Sequence, residues 1–365
     1  MSWFLAALGF MVLIVFHELG HFSAAKAVGM RVERFSLFFP PLLVRKKIGE
    51  TEYAIGAIPA GGYVKISGMN PSEELPEEVR DRAYHAQPVW KRIVVIAAGP
   101  AVNLVLGFVV LVAYFALVGP HDPDRANEIA AVSKGFPAQG VLHPGDRLVA
   151  VNGRPGTPPQ LRKIVEADRC PQPKATAGCA GAKPLSVTVL RDGERVTVRM
   201  KPKYDAAQDP PRMRLGFSYD PSSGPRETVS FGKALDGSAT GFWRITKATV
   251  TIPAKILNPE ERKQIHGIVG NYEYTRQTII HDPGDVVLIM AIISLALAIV
   301  NLYPFLPLDG GHIFWAVVEK VRRRPVPLAT MERSGMVGFA LVIVLFVVGL
   351  TNDISTLKGN GFGPP

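Results

Sequence analysis

The sequence predicts a polytopic α-helical membrane protein: four transmembrane helices, a membrane-associated β-hairpin and an inserted β-rich α+β domain. Three observations lead there. Four long apolar runs punctuate the 365 residues, and Lys and Arg gather in two of the segments between them. The stretch 125–220 carries period-two alternation and turn dipeptides instead. At 47% hydrophobic and 20% charged residues the chain is not intrinsically disordered. Two cysteines are too few for a disulfide framework or a Cys-rich zinc finger. The net charge of +10 fits basic loops beside a membrane, and nucleic acid is not expected as a partner.

Segment 1–30 is uncharged over residues 3–16 and stays apolar to about Val28, around His17-Glu18-Leu19-Gly20-His21. With no basic leader and no small-residue cleavage site, it reads as a span rather than a cleaved signal. Residues 31–92 form a basic loop, in which 52–58 and 63–67 alternate as two strands around Pro59-Ala-Gly-Gly62. The second span, 93–119, has Asn103 as its main polar interruption. The third, 285–312, and the fourth, 335–351, lie near the lower limit of about 20 apolar residues. Between them, 313–334 carries Lys320, Arg322, Arg323, Arg324 and Arg333; the tail 352–365 carries only Lys358. The bias of Lys and Arg places both basic loops in the cytoplasm and both termini outside.

Residues 120–284 then lie outside, as a domain over 120–222 and a helical connector over 223–284. In the domain, strands are expected at 129–132 and 147–151, the second ending in the turn signal Asn152-Gly153. A helix at 159–167 follows, and a hairpin pairs 185–190 with 195–200 across Arg191-Asp192-Gly193. Cys170 and Cys179 occupy a Pro/Ala/Gly-rich loop, where an oxidising exterior permits a disulfide; two free thiols is the other reading.

The chemistry begins with His17-Glu18-Leu19-Gly20-His21, an H-E-x-x-H motif. On a helix, residues four apart are separated by about 6 Å of rise and about 40° of rotation, so both imidazoles reach one metal ion. Glu18 stands beside that ion as a candidate acid/base. Ionisable residues at membrane depth cost several kcal/mol and mark function by default. A catalytic zinc takes three protein ligands and keeps one position open. Asn301-Leu-Tyr-Pro-Phe-Leu-Pro-Leu-Asp309-Gly-Gly-His312 offers the third, from Asp309 or His312.

These residues resemble a known family. His17-Glu-Leu-Gly-His21, then Ala97-Ala-Gly-Pro-Ala-Val-Asn103, then the N-x-x-P-x-x-P-L-D-G run from Asn301 look like bacterial site-2 proteases of the M50 type. They resemble most the regulator-of-sigma-E branch, although Leu306 stands where many relatives have a proline. The segment Val141-Leu-His-Pro-Gly-Asp-Arg-Leu-Val-Ala-Val-Asn-Gly153, with Leu215-Gly216-Phe217, resembles a PDZ domain. The resemblance implies one Zn²⁺ held by His17, His21 and Asp309, with Glu18 catalytic and with Asn301 and Asn103 as substrate-positioning and supporting polar residues. It implies a zinc metalloendopeptidase of the bacterial inner membrane, catalytic side toward the cytoplasm. Its substrates would be single-span membrane proteins, such as trimmed anti-sigma factors or signal-peptide remnants, in regulated intramembrane proteolysis. The PDZ domain would take a peptide or C-terminus, or act as a size filter. The β-hairpin would pair with the unwound substrate backbone. A metal transporter, or a non-catalytic zinc-binding membrane scaffold with a PDZ interaction module, is the alternative; a purely structural zinc site has no use for Glu18.

Overall fold

The computed structural model describes residues 2–70, 73–121, 127–170, 176–206, 211–219, 226–256, 258–262, 265 and 267–358. The chain divides into two compact units. Met1–Ala116 with Ser230–Pro365 forms one, and Leu117–Val229 the other.

The first unit opens with α1 (Ser2–Ala27), which runs unbroken through the H-E-x-x-H motif because its sequence has no proline. A Schellman closure ends it. Gly29 adopts φ +84°, its N–H bonds to Lys26, and the N–H of Met30 bonds to Ala25 at 2.9 Å. Met30 and Val32, both fully buried, then start a small core with Ile66 and Val95.

Two long strands follow, β1 (Val32–Ile48) and β2 (Thr51–Ile66). The expected hairpin of 52–58 against 63–67 does not form, for both segments belong to β2. Arg34, Phe35, Ser36 and Leu37 each face two partners: Lys65, Val64, Tyr63 and Gly62 on one side, Glu52, Tyr53, Ala54 and Ile55 on the other. The second half of β1 pairs back along 51–56. The Pro59-Gly62 stretch that suggested a turn is an extended bend, and the tight turn falls instead at Gly49, φ +61°. Both strands therefore carry irregular register and fold over on themselves.

Short α2 (Glu77–Arg80) precedes α3 (Val89–Ala113), which continues as a π-turn over Tyr114–Val118. Close backbone approach sets the packing of α3: a Cβ on Gly20 of α1 would meet the Ala98 carbonyl oxygen at 2.6 Å.

The second unit is built on the sheet order β5-β4-β6-β7. Its strands are β3 (Ile129–Val132), β4 (Arg147–Val151), β5 (Arg154–Pro155), β6 (Leu185–Arg191), β7 (Glu194–Met200), β8 (Lys203–Asp205), β9 (Arg212–Arg214) and β10 (Phe217–Tyr219). One helix, α4 (Pro158–Glu166), starts in a capping box between Thr157 and Gln160. Leu148, Val151, Leu161, Val187 and Val189 form its core. Cys170 and Cys179 are joined in a disulfide with 6.0 Å between Cα atoms.

The chain returns to the first unit with α5 (Phe231–Val250), α6 (Ile252–Ile256), α7 (Pro259–Arg262), α8 (Ile268–His281), α9 (Asp285–Asn301), α10 (Asp309–Arg322) and α11 (Leu328–Lys358). Among the described residues, three helices are long and apolar enough to cross a membrane: Phe4–Ala27, Val89–Val118 and Ala329–Leu357. Of the four expected spans, the third is the shorter one. It stops at Asn301, and its 17 residues reach only about 25 Å. Pro304 and Pro307 lack amide hydrogens to continue it, so residues 302–308 turn and α10 begins afresh at Asp309. The fourth runs beyond 335–351 at both ends. α9 packs on α3, where a Cβ on Gly107 would meet the Leu295 side chain at 2.7 Å.

Candidate metal centre

His17 and His21 stand one turn apart on α1 and are 7% and 8% exposed, deep for titratable groups on an apolar helix. Gly99 makes room for His21, since any Cβ there would collide with the imidazole Nε2. The Nδ1 of His21 donates to the Val95 carbonyl at 2.9 Å. A proton fixed on Nδ1 leaves Nε2 as a bare lone pair, turned to the α10 side.

Asp309 arrives there as the first residue of α10. The turn before it folds tightly because Gly310 and Gly311 lie directly on the backbone of Leu302 and Leu306, where a Cβ would not fit. Its Oδ2 stands 3.2 Å from His17 Nε2 and 3.3 Å from His21 Nε2. The two Nε2 atoms are themselves 3.3 Å apart. In a tetrahedral site with bonds of about 2.0–2.1 Å, neighbouring ligand atoms stand roughly 3.3–3.4 Å apart. The triangle therefore has the edge length of three zinc ligands. The Oδ2 atom is buried and has no hydrogen-bond partner, so electron-rich atoms face each other and a cation resolves the repulsion.

A cavity of about 640 Å³ opens on this triangle. Glu18, Asn301 and His312 line it beside His17, His21 and Asp309. β2 also lines it, through Gly61, Gly62, Tyr63 and Val64. Gly62 lies against Glu18, where a Cβ would meet the Glu18 Cγ at 2.9 Å. The structure thus brings together Glu18 and the His17, His21, Asp309 cluster, with Asn301 in the lining of the same cavity. Asn103 is elsewhere: fully buried behind His17 and outside the cavity lining. His312 lines the cavity but lies outside the ligand triangle.

Comparison with known proteins adds an independent line. The model of peptidase family M50 matches residues 5–345. The chain belongs to peptidase family M50. Among relatives named as zinc metalloproteases, one from Brucella suis is 31% identical over 94% of this chain and 92% of its own length. One from Nostoc sp. is 30% identical, covering 94% of each chain. One from Campylobacter jejuni is 30% identical over 95% of this chain and 91% of its own. This M50 chain is an integral membrane zinc metalloprotease, and zinc is its cofactor.

Three features of the centre had no role assigned from the sequence. The Val95 carbonyl is backbone and leaves no side-chain signal. Gly62 sits in a stretch that reads as a turn. Gly99 has a signal, a glycine before a proline inside an apolar helix, but only the packing shows that it faces His21.

Proposed function

We propose that this M50 protease cleaves single-span membrane proteins within or near their transmembrane segment, as a site-2 protease does. The observation that carries the reading is the ligand-spaced triangle that Asp309 of α10 makes with His17 and His21, two histidines on a helix apolar enough to span a membrane. In this reading those three residues hold zinc and Glu18 is the acid/base. Zinc, when bound, acts as a Lewis acid and makes water nucleophilic near neutral pH. Glu18 takes the proton from the attacking water and passes it to the leaving amine. Asn301, which lines the same cavity, holds the substrate backbone.

A helical substrate must first unwind, which frees its amide and carbonyl groups. Among the described residues, 62–66 pair with β1 along one edge only, and Gly62, Tyr63, Val64 and Ile66 of that segment line the cavity. That edge supports strand addition, which would re-pair the freed groups beside Glu18. Trimmed anti-sigma factors and signal-peptide remnants are the substrate class, in regulated intramembrane proteolysis at the bacterial inner membrane. The charge bias supports a catalytic side toward the cytoplasm and the second unit outside.

In the second unit, a cavity of about 220 Å³ lies between α4 and β9–β10, lined by Leu161, Val165, Met213 and Phe217. β10 pairs only with β3 among the described strands. Those features support a PDZ-type groove for an extended peptide.

The test uses purified protein in detergent with a truncated single-span anti-sigma reporter. Wild type is expected to hold one zinc and to cleave. Glu18→Gln is expected to hold zinc and not cleave. Cleavage by Glu18→Gln would remove Glu18 from the mechanism, and zinc without any cleavage would favour the scaffold reading.

A further inference from the structure

We propose that Asn103 is a positioning residue that fixes the tautomer of His17. The proposal rests on the reading of His17, His21 and Asp309 as zinc ligands. His21 and His17 present the same atom, Nε2, to Asp309. To hold a metal through Nε2, each imidazole must keep its proton on Nδ1 and give it to an acceptor. His21 has that acceptor in the Val95 carbonyl. For His17 the group at hand is the Asn103 side-chain amide, whose Nδ2 lies 3.4 Å from His17 Nδ1.

Two features of Asn103 point to its use. It is 0% exposed in the middle of α3, and it does not line the cavity, so it reaches His17 and not a substrate. Its Oδ1 is buried with no hydrogen-bond partner. Meanwhile Ser294 Oγ of α9 donates to the Asn103 backbone carbonyl at 2.8 Å, which pins this point of α3.

The orientation of the amide decides the chemistry. With Nδ2 donating to Nδ1, the His17 proton sits on Nε2, pointing at Asp309 and closing that nitrogen to an ion. A half-turn of the amide about Cβ–Cγ brings Oδ1 to Nδ1 with almost no change of shape. Oδ1 then gains its missing partner, His17 carries its proton on Nδ1, and Nε2 is free for metal. Asn103 thereby does for His17 what the Val95 carbonyl does for His21.

The experiment measures zinc affinity by chelator competition on the full chain in detergent, with melting of the zinc-free protein alongside. Asn103→Leu removes the acceptor at similar volume and is expected to weaken zinc roughly 10–100-fold. Asn103→Asp can only accept, and is expected to bind zinc at least as tightly as wild type. Affinity within twofold of wild type for Asn103→Leu would overturn the proposal. So would a loss in Asn103→Asp as large as in Asn103→Leu, because a packing or donor role predicts that result. Asn103→Asp alone decides the matter when Asn103→Leu does not fold. His17→Ala separates the two levels: zinc retained there refutes the ligand set, whereas zinc lost there but kept in Asn103→Leu refutes only the role of Asn103.

Discussion

Two absent side chains give the centre its room. Gly99 admits the His21 imidazole, and Gly62 admits the Glu18 carboxylate arm. Their substitution separates binding from chemistry. Gly99→Ala puts a methyl group where His21 Nε2 lies, in a well-packed helix contact. Zinc affinity is expected to fall roughly ten-fold or more, read as zinc content after dialysis against a weak chelator. Gly62→Ala presses on Glu18 Cγ at 2.9 Å and on the Ser36 carbonyl at 3.1 Å, but touches no ligand. Zinc content is expected to stay at one per chain while reporter cleavage drops at least ten-fold, the usual reach of a displaced acid/base. Equal zinc loss in both variants would show that β2 supports the ligand set and not Glu18 alone.

At the level of elements, ties between distant segments hold the scaffold around the cavity. Asp353 near the end of α11 is fully buried; its Oδ1 accepts from the Gly267 N–H at 3.0 Å and its Oδ2 from the Gly270 N–H at 2.8 Å. It caps α8 from another helix, at the end where a carboxylate is favoured. Asp353→Ala leaves two N–H groups without that acceptor and is expected to cost about 1–3 kcal/mol, seen as a lower melting temperature, with partial recovery in Asp353→Asn. Glu50 performs a similar tie in the loop between β1 and β2, bonding Arg82 at 2.7 and 2.8 Å and Lys26 at 2.6 Å. Its hydrogen bonds to Arg82, then to Lys26, hold its carboxyl down to about 2, from 4.5. A depressed acid stabilises the fold above its unfolded pKa, so this contribution is complete above about pH 4.5 and fades as pH falls toward about 2. Glu50→Gln is expected to melt lower at neutral pH and to converge on wild type in acid; parallel curves would discount the tie. Neither contact was legible in the sequence, because each joins residues tens of positions apart. The same limit hid the pairing of β1 with both halves of β2. His17, Glu18, His21 and Asp309 were legible because two motifs name them, and the prolines announced the break before Asp309. The helix length that follows from that break needed the structure.

For the whole molecule, the charge distribution and the disulfide make one joint prediction. Residues 26–92 and 320–333 hold the basic clusters, so the positive-inside bias predicts Lys46 and Arg322 on the cytoplasmic side and Arg195 outside. The bond between Cys170 and Cys179 belongs to the same picture, since disulfides persist in oxidising compartments and not in a reducing cytosol. Both arguments depend on sidedness but share no residue, so their agreement can be tested. Replacing Cys170 and Cys179 by Ala gives a cysteine-free background, because the chain has two cysteines. Single cysteines then go to exposed Lys46, Arg322 and Arg195. In intact cells, a membrane-impermeant maleimide is expected to label position 195 and to spare 46 and 322 until the membrane is opened. In the unaltered chain, the native cysteines are expected to resist alkylation until a reductant is added outside. The reverse labelling pattern would invert the topology, place the catalytic cavity toward the exterior, and leave the disulfide in a compartment that reduces it.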